Sequence, residues 1–292
     1  MLVTLKEVLE KAEEGNYAVG AFNCPTLESA RAALEAAEEL QVPVILSHAE
    51  VHFEINPLEI MGPILVNLAQ RASVPVVVHL DHGSSIVNVK KAIGIGFTSV
   101  MIDASHMNYE DNVNTVIEVV EYARKHNVSV EAELGMMTSS GIGGEETRKG
   151  EHFNDDVTDY YTDPLVAKDF VEKTDIDGLA ASFGTVHGIY INEPNLDFKR
   201  LSDIYNNIKR PVVMHGGSGL SEEEYIKAIN NGVRKINYYS YSAKAGAIAV
   251  KEYCGKKEDI FFHDLTVVAK NAMKEDIKNA MKIFANKTGV AN

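Results

Sequence analysis

The sequence predicts an α/β protein built as a (β/α)8 barrel with a C-terminal helical extension. Eight short apolar runs alternate with longer amphipathic segments, which is typical of βαβ units in a parallel sheet. The length of 292 residues fits one barrel domain of about 250 residues plus an extension. An open doubly wound sheet is the competing architecture, but no GxGxxG sequence follows the first predicted strand. We therefore expect residues 1–292 to form a single barrel domain.

The eight predicted strands are short apolar runs, several of which end in polar side chains. The segments "VPVILSH" and "PVVVHLD" show the pattern most clearly, because β-branched residues favour the extended backbone of a sheet. In chain order, the strands are predicted at residues 17–23, 42–48, 75–81, 98–103, 128–134, 178–183, 211–216 and 235–239.

The predicted helices lie between these strands and have apolar residues at helical spacing. They are expected at residues 26–40, 57–71, 85–95, 109–126, 164–174, 221–231 and 241–254. The segment "SEEEYIKAI" begins with Ser221 as a potential N-cap and continues with acidic residues in the first turn, a combination that marks a helix start.

One long segment, residues 135–163, shows neither periodicity. Unstructured segments of this length inside a barrel are usually functional lids or disordered loops. Its glycines Gly141, Gly143 and Gly144 would allow the backbone to move, so we expect a lid.

The charge and the cysteine content exclude several classes of function. A formal net charge of −14 disfavours nucleic acid and anionic membranes as partners, since both require a basic surface. A small anionic substrate remains compatible, because helix N-termini and a bound cation supply local positive potential. The two cysteines, Cys24 and Cys254, form no CxxC pair, and the sequence contains neither a signal peptide nor a membrane-length apolar run. We expect a cytoplasmic protein.

Polar residues gather at the carboxyl ends of the predicted strands, which converge on one face of a barrel. These residues are Asp81, His82, Asp103, Glu131, Glu133, His187, His215 and Asn237. Three histidines are typical ligands of a catalytic zinc that keeps a fourth position open. Since imidazoles are neutral ligands, the metal retains its full charge and polarises a bound oxygen strongly.

Other polar residues near these ends have competing interpretations. His79 is expected in the barrel interior, as a hydrogen-bonded core residue. Either Glu131 or Glu133 could pair with a lysine inside the barrel. The segment "HGGSG" at 215–219 resembles a phosphate-binding turn, because glycines permit close backbone approach and Ser218 adds a hydroxyl.

Seven motifs together resemble the class II, metal-dependent ketose-bisphosphate aldolases over about residues 1–285. In order they are "HLDHG", "SVMIDAS", "VSVEAELG", "YYTDP", "GTVHGIY", "HGGSGL" and "KIN". The resemblance implies a TIM barrel that forms a homodimer or homotetramer, uses Zn²⁺ and often Na⁺ or K⁺, and acts in carbohydrate metabolism such as glycolysis.

The resemblance also implies roles for individual residues. His82, His187 and His215 match the zinc ligands, whereas Glu133 and Asp103 match positions that hold a second or displaced metal. Residues matched to the monovalent cation and to the dihydroxyacetone phosphate site are Gly188, Gly216, Gly217, Ser218, Asn237, Tyr238, Tyr239 and Ser240.

The implied reaction is the cleavage of a ketose 1,6-bisphosphate of the fructose or tagatose type. Asp81 would remove the C4 hydroxyl proton, and the C3–C4 bond would break to give a zinc-stabilised enediolate. Glu145 or Glu146 on the lid would then protonate C3. The products would be dihydroxyacetone phosphate and an aldehyde such as glyceraldehyde 3-phosphate.

Two segments depart from the family pattern. The eighth strand ends in "INYYS" rather than "INVAT" or "INIDT", and the second strand is followed by "SHAEVHF". His48, Glu50 and His52 either belong to a surface loop or reshape the pocket for the far end of the substrate. For the distal phosphate we can name only Lys282, Arg148 and Lys149 as candidate cations.

Four alternatives remain open. The protein could be a class II aldolase for a different phosphorylated ketose, or a zinc hydrolase, although that class usually has HxH on the first strand, where this chain has "AFNCP". A Schiff-base aldolase needs a desolvated lysine at a strand end, and Lys235 lies deeper than Asn237. A non-catalytic sugar-phosphate binder would not require Asp81 beside His82.

Overall fold

The structure, a computed structural model, describes residues 1–139, 160–190 and 194–286. Its strands are β1 (Val19–Asn23), β2 (Val44–Ala49), β3 (Val76–Gly83), β4 (Ser99–Ile102), β5 (Ser129–Leu134), β6 (Thr138–Ser139), β7 (Gly178–Ala181), β8 (Val186–His187), β9 (Val212–Met214) and β10 (Val233–Tyr238). Eight of them form a closed parallel barrel in the order β1-β10-β9-β7-β5-β4-β3-β2. The predicted (β/α)8 barrel is therefore confirmed, with all eight predicted strands in place.

Helices surround the barrel, and all seven predicted ones are present in the described part of the chain. The helices are α1 (Leu5–Gly15), α2 (Leu27–Leu40), α3 (Leu58–Arg71), α4 (Ile86–Ile95), α5 (Tyr109–Arg124), α6 (Pro164–Thr174), α7 (Phe198–Ile208), α8 (Glu222–Asn230), α9 (Ser240–Lys256) and α10 (Phe262–Phe284). The helix α10 is the expected C-terminal extension. The sequence interpretation missed α7, although Leu201, Ile204 and Ile208 are its buried residues and follow helical spacing.

Two smaller elements above the barrel were not predicted. A 3₁₀ helix, η1 (Glu50–Glu54), follows β2. The two-residue strands β6 and β8 pair in parallel as a separate ribbon, with Ser139 opposite His187. Both elements lie in loops that follow the carboxyl ends of barrel strands, where α/β barrels carry their functional residues.

The helix α1 closes the amino-terminal end of the barrel. Its buried residues Leu5, Val8 and Leu9 pack in one cluster with Ile45 and Val77, which stand near the starts of β2 and β3. Burial of such side chains contributes about 1.5–3 kcal/mol each. This apolar packing closes the amino-terminal end of the barrel, whereas the cluster of histidines and carboxylates lies toward the other end.

Within the described residues, no helix combines the length and apolar character that a membrane span requires.

Candidate active site

The three histidines predicted as metal ligands come together above the barrel. His82 is the penultimate residue of β3, His187 ends β8, and His215 follows β9 directly. The ring centroids of His82 lie 4.6 Å from His215 and 5.2 Å from His187, and those of His187 and His215 are 5.8 Å apart. One potential ligand atom from each ring lies within 4.8 Å of the other two, so one ion could contact all three.

The backbone of His82 is held in an uncommon conformation. Its φ angle is 46°, in the left-handed region that non-glycine residues rarely adopt. Gly83 follows, and a Cβ atom there would lie only 2.6 Å from the carbonyl oxygen of Met101. Strained backbone of this kind persists where the surrounding structure enforces it, and it is often found at functional sites.

Two of the three rings are oriented by carboxylates. Nδ1 of His82 lies 3.1 Å from Oδ2 of Asp103, and Nε2 of His215 lies 2.8 Å from Oε1 of Glu131. The remaining nitrogens, Nε2 of His82 and Nδ1 of His215, face each other at 2.8 Å. Carboxylates on the far side of metal-binding histidines fix the tautomer and raise ligand basicity. The donor set and its orientation therefore fit a zinc ion.

The electrostatics of the cluster favour a cation. Burial opposes charge on the His82 ring, but Asp81, Asp103 and Glu133 outweigh it and raise the pKa of His82 to about 10. Burial, together with the charge of His82, holds the pKa of His187 well below its usual value. The surrounding carboxylates thus stabilise positive charge at the position where the rings meet.

Asp103 and Glu133 form a second cluster with His82, with ligand atoms also within 4.8 Å of one another. Asp103 additionally accepts hydrogen bonds from the Ser105 hydroxyl at 2.7 Å and backbone amide at 3.1 Å. Oε2 of Glu133 is buried and has no hydrogen-bond partner among the described residues. Burial, together with the charge of Asp103, raises the pKa of Glu133 well above its usual value. Their part in holding a second metal stays a prediction.

Asp81, the predicted acid/base, is fully buried and is held by two amides. Its Oδ2 accepts from Nδ2 of Asn23 at 3.1 Å, and its Oδ1 accepts from Nδ2 of Asn237 at 3.2 Å. Burial opposes ionisation, but the positive charges of His82, His215 and Lys235 hold the pKa of Asp81 below its usual range. The sequence interpretation did not name Asn23 as a site residue, although its position at the end of the first predicted strand indicated one.

A buried charge pair lies beneath the site. Nζ of Lys235 contacts the carboxylate of Glu131 at 2.8 and 3.0 Å, and both side chains are fully buried. Nδ1 of His79 lies 2.8 Å from Oγ of Ser99, and its Nε2 lies 3.5 Å from Nζ of Lys235. The expectation that His79 is a hydrogen-bonded core residue is confirmed, and Glu131 is the glutamate that pairs with a lysine. Because Lys235 is committed to this pair, it is poorly suited to form a Schiff base.

The glycine-rich turn after β9 packs against β8 and β10. Gly216 has a φ angle of 61°, and a Cβ atom there would lie 2.4 Å from the carbonyl oxygen of Val186. Gly217 N donates to the carbonyl of Asn237 at 3.2 Å, and the amide of Tyr239 donates to Oγ of Ser218 at 2.8 Å. The predicted substrate-binding residues of the two loops therefore lie together.

Three further predicted binding residues flank this turn. Gly188 follows His187 with a φ angle of 95°, and Ser240 begins α9. The Tyr238 hydroxyl, however, donates to Oδ2 of Asp276 in α10 at 3.0 Å. The side chain of Tyr238 is therefore engaged between the barrel and α10, and only its backbone can be retained in the proposed substrate site.

The surface-loop interpretation is wrong for the two histidines, since His48 lies within β2 and His52 lies in η1. His48 is fully buried and His52 is 4% exposed. Glu50 accepts hydrogen bonds from both the backbone amide and the hydroxyl of Ser84, two residues after His82. The segment therefore contacts the site from the side of β2.

The predicted proton donors Glu145 and Glu146 lie outside the described residues, as do the candidate cations Arg148 and Lys149. Lys282 lies in α10. The role of each of these residues stays a prediction.

A closed parallel barrel that gathers three imidazoles and several carboxylates above its strands has the arrangement of metal-dependent α/β-barrel enzymes. Comparison with known proteins narrows this class. A family model described as "Fructose-bisphosphate aldolase class-II" matches residues 3–289. The chain therefore belongs to the class II fructose-bisphosphate aldolase family. It is a class II aldolase, a lyase of a generally metal-dependent family that acts on phosphorylated sugars.

Relatives of this chain are similar over nearly their whole length. It is 40% identical over 291 residues to the fructose-bisphosphate aldolase of Staphylococcus epidermidis, with 97% of each chain covered. It is 41% identical over 297 residues to a Bacillus subtilis protein named "Probable fructose-bisphosphate aldolase", with 98% of each covered. Among solved structures, the YdjI aldolase from Escherichia coli K12 matches over 100% of both chains with a TM-score of 0.85 and 32% identity.

Proposed function

We propose that the enzyme cleaves a ketose 1,6-bisphosphate of the fructose or tagatose type into dihydroxyacetone phosphate and an aldehyde such as glyceraldehyde 3-phosphate. The observation that carries this proposal is the orientation of the histidines. Nε2 of His82 and Nδ1 of His215 face each other at 2.8 Å, and His187 adjoins both rings. Together with the family membership, this arrangement supports a catalytic zinc held by all three rings.

The metal would supply one element of the chemistry. A bound zinc acts as a Lewis acid that stabilises negative charge developing on the ketose oxygens. The protein orients the ligands through Asp103 and Glu131, as the hydrogen bonds to His82 and His215 indicate. A monovalent cation, Na⁺ or K⁺, at the backbones of Gly188 and Gly216 is part of the proposal.

Asp81 takes the proton from the C4 hydroxyl in this proposal. It is ionised at neutral pH, because the neighbouring cationic groups hold its pKa low. The amides of Asn23 and Asn237 fix both of its oxygens, so the carboxylate is oriented before the substrate arrives, which general base catalysis requires. Glu145 or Glu146 then delivers a proton to C3.

The phosphate on C1 would bind at the glycine-rich turn. Gly216, Gly217 and Ser218 precede α8, whose N-cap is Ser221. Glycines in such a turn let a phosphate approach the backbone closely, and the Ser218 hydroxyl is a further polar group beside it. The overall charge of −14 is therefore compatible with a phosphorylated substrate.

A different phosphorylated ketose is the second candidate substrate. The specific observation is that His52 and Tyr239 contact each other, with ring centroids 4.9 Å apart, in the two segments that depart from the family pattern. Bulky rings there would alter the space for the aldehyde half of the ketose. Neither candidate changes the proposed roles of Asp81 and the histidines.

We further propose a cytoplasmic homodimer or homotetramer with residues 1–292 as one barrel domain. Large apolar side chains are exposed on α9 and α10, among them Ile248 at 49%, Phe262 at 81% and Val267 at 52%. Exposed apolar patches of this kind often form subunit interfaces. Sedimentation velocity of the wild type and of Phe262→Ser tests this, and a wild-type monomer at micromolar concentration would contradict it.

A substrate panel tests the main proposal. The purified enzyme, with its metal content measured, is assayed for release of dihydroxyacetone phosphate from ketose 1-phosphates and ketose 1,6-bisphosphates. We expect zinc-dependent cleavage of a 1,6-bisphosphate. Preference for a 1-phosphate would favour the second candidate, and no cleavage of any phosphorylated ketose with saturating zinc would refute both.

A further inference from the structure

His52 is buried above the barrel, after β2, and packs against Tyr239. It lies in η1, directly after β2, and Ala49 at the end of β2 is the register partner of Asp81. The side chain is only 4% exposed. Its Nδ1 atom has no hydrogen-bond partner in the described part of the chain, and leaving a buried polar atom unpaired is unfavourable. A buried, unpaired ring nitrogen three residues after the register partner of Asp81 suggests that a ligand completes its contacts.

Tyr239 is the aromatic residue that packs against His52. Its ring centroid lies 4.9 Å from that of His52, at an interplanar angle of 57°. Tyr239 follows β10, and His52 follows β2, while β1 lies between these strands in the barrel. The last residue of β1, Asn23, donates to Asp81. The two rings therefore stand together above the strand that helps to orient the catalytic carboxylate.

The charge state of His52 limits what it can recognise. Burial and the nearby His48 lower the pKa of His52 to about 4, while Asp81 acts in the opposite direction. At neutral pH the ring is uncharged and offers one donor and one acceptor. A neutral imidazole suits a hydroxyl group, whereas phosphate recognition relies on charged or multiple donors.

The loop that carries His52 is fixed at both ends. Nε2 of His48 lies 2.9 Å from the carbonyl oxygen of Asn56, and Nδ2 of Asn56 donates to the carbonyl of Pro25 at 2.8 Å. On the other side, Glu50 accepts two hydrogen bonds from Ser84. A recognition residue must be held this way to discriminate between substrates, because a loose side chain adapts to several ligands.

We propose that His52, packed against Tyr239, binds the C5 hydroxyl of the substrate and thereby determines which ketose phosphate is cleaved. This inference rests on the proposed function, in which Asp81 acts on the C4 hydroxyl and the adjacent carbon belongs to the departing aldehyde. A site that hydrogen-bonds a substrate hydroxyl discriminates against the analogue that lacks it, because the buried polar group is then left unpaired.

His52→Phe is the decisive variant, because phenylalanine keeps a ring against Tyr239 and removes both nitrogens. The readout is the ratio of kcat/KM for a ketose phosphate to that for its 5-deoxy analogue. We expect His52→Phe to lower this ratio about 10-fold, which is the value of one hydrogen bond to a buried neutral group. His52→Asn retains a donor and an acceptor, so its ratio of the two kcat/KM values is expected to be higher than that of His52→Phe. The matched control is His126→Phe, which changes an exposed histidine two residues after α5.

A second measurement separates this inference from the proposed function. Exchange of the carbon-bound hydrogen of dihydroxyacetone phosphate with solvent requires the metal and the ketone half, but no C5 hydroxyl. We expect exchange by His52→Phe to remain within about 3-fold of wild type while the ratio falls 10-fold. An unchanged ratio, or parallel losses for the substrate, its 5-deoxy analogue and the exchange reaction, would overturn the role of His52. Absence of both cleavage and exchange in the zinc-loaded wild type would instead overturn the proposed function.

Discussion

Replacement of Lys235 by methionine tests the buried charge pair that supports the site. Lys235 and Glu131 are both fully buried, with Nζ 2.8 and 3.0 Å from the two carboxylate oxygens. Methionine has a similar length and no charge, so it fills most of the space and removes the cation. Glu131 would then keep its contact with Nε2 of His215 but would lose the group that balances its charge.

The expected loss of stability follows from the geometry. At 2.8 Å and an effective dielectric constant of about 20, the attraction is on the order of 6 kcal/mol. Part of it is offset, because lysine no longer has to be dehydrated on folding and methionine adds apolar burial. Broken buried pairs lose about 3–5 kcal/mol, and we expect Lys235→Met to fall in this range.

Urea unfolding followed by far-ultraviolet circular dichroism measures this loss, with EDTA present so that zinc binding does not contribute. A loss of 3–5 kcal/mol corresponds to a midpoint lower by about 1 M or more. The matched control is Lys199→Met, which breaks an exposed pair between Lys199 and Asp203 at 2.6 Å, with side chains 84% and 46% exposed. The control should stay within about 0.5 kcal/mol of wild type. Equal losses in both variants, or less than about 1 kcal/mol for Lys235→Met, would refute the reasoning.

Four further outcomes are expected. Gly216→Ala should weaken zinc binding in a chelator competition assay, because its Cβ would collide with the carbonyl oxygen of Val186. Gly216 directly follows His215 and Val186 directly precedes His187, so the collision would displace two of the proposed ligands. The control Gly94→Ala, which has open space around its Cβ, should bind zinc normally. Asp81→Asn should lower kcat by about 10²–10⁴-fold at unchanged zinc content, and near-normal turnover would exclude it as the base. EDTA should abolish cleavage and zinc restore it, while borohydride with dihydroxyacetone phosphate should trap no adduct by mass spectrometry. Between pH 7 and 5 the wild type should lose about 2 kcal/mol more of its free energy of unfolding than His52→Gln. The reason is that the unfolded ring takes up a proton below a pKa of about 6.5, whereas the pKa of the folded ring is about 4. The same loss in both proteins, measured by urea unfolding at the two pH values, would contradict this.

The parts of the fold that depend on local pattern could be predicted from the sequence. The strand β3 has β-branched residues at its start and polar residues at its end, which are signals carried within eight residues. The position of His82 and His215 at strand ends also predicted that they lie on the same face of the barrel, because all strands of a parallel barrel point the same way. The helix α7 could have been found by its apolar spacing as well.

The sequence interpretation named His187, but the strand that carries it, β8, shows why the rest could not be predicted. The sixth barrel strand, β7, ends at Ala181, six residues before this histidine. His187 lies instead in β8, which pairs with Thr138–Ser139, far away in the chain. A strand of two residues has no periodicity to detect. Likewise, the contact of Asn23 with Asp81 joins residues 58 positions apart, and it depends on register and side-chain rotamers that appear only in the folded barrel.

The burial of so many ionisable groups in one barrel is explained by their order along its axis. Apolar side chains of α1 close the amino-terminal end, so water does not reach the charged pair of Lys235 and Glu131 from below. Lysine neutralises Glu131, and Glu131 can therefore accept from Nε2 of His215 without leaving an uncompensated charge. That contact fixes which nitrogen of His215 faces His82. Lys235, the lysine that the Schiff-base alternative would require, is therefore two contacts away from the proposed metal site, and the direction of the ligand nitrogens depends on the packing beneath it.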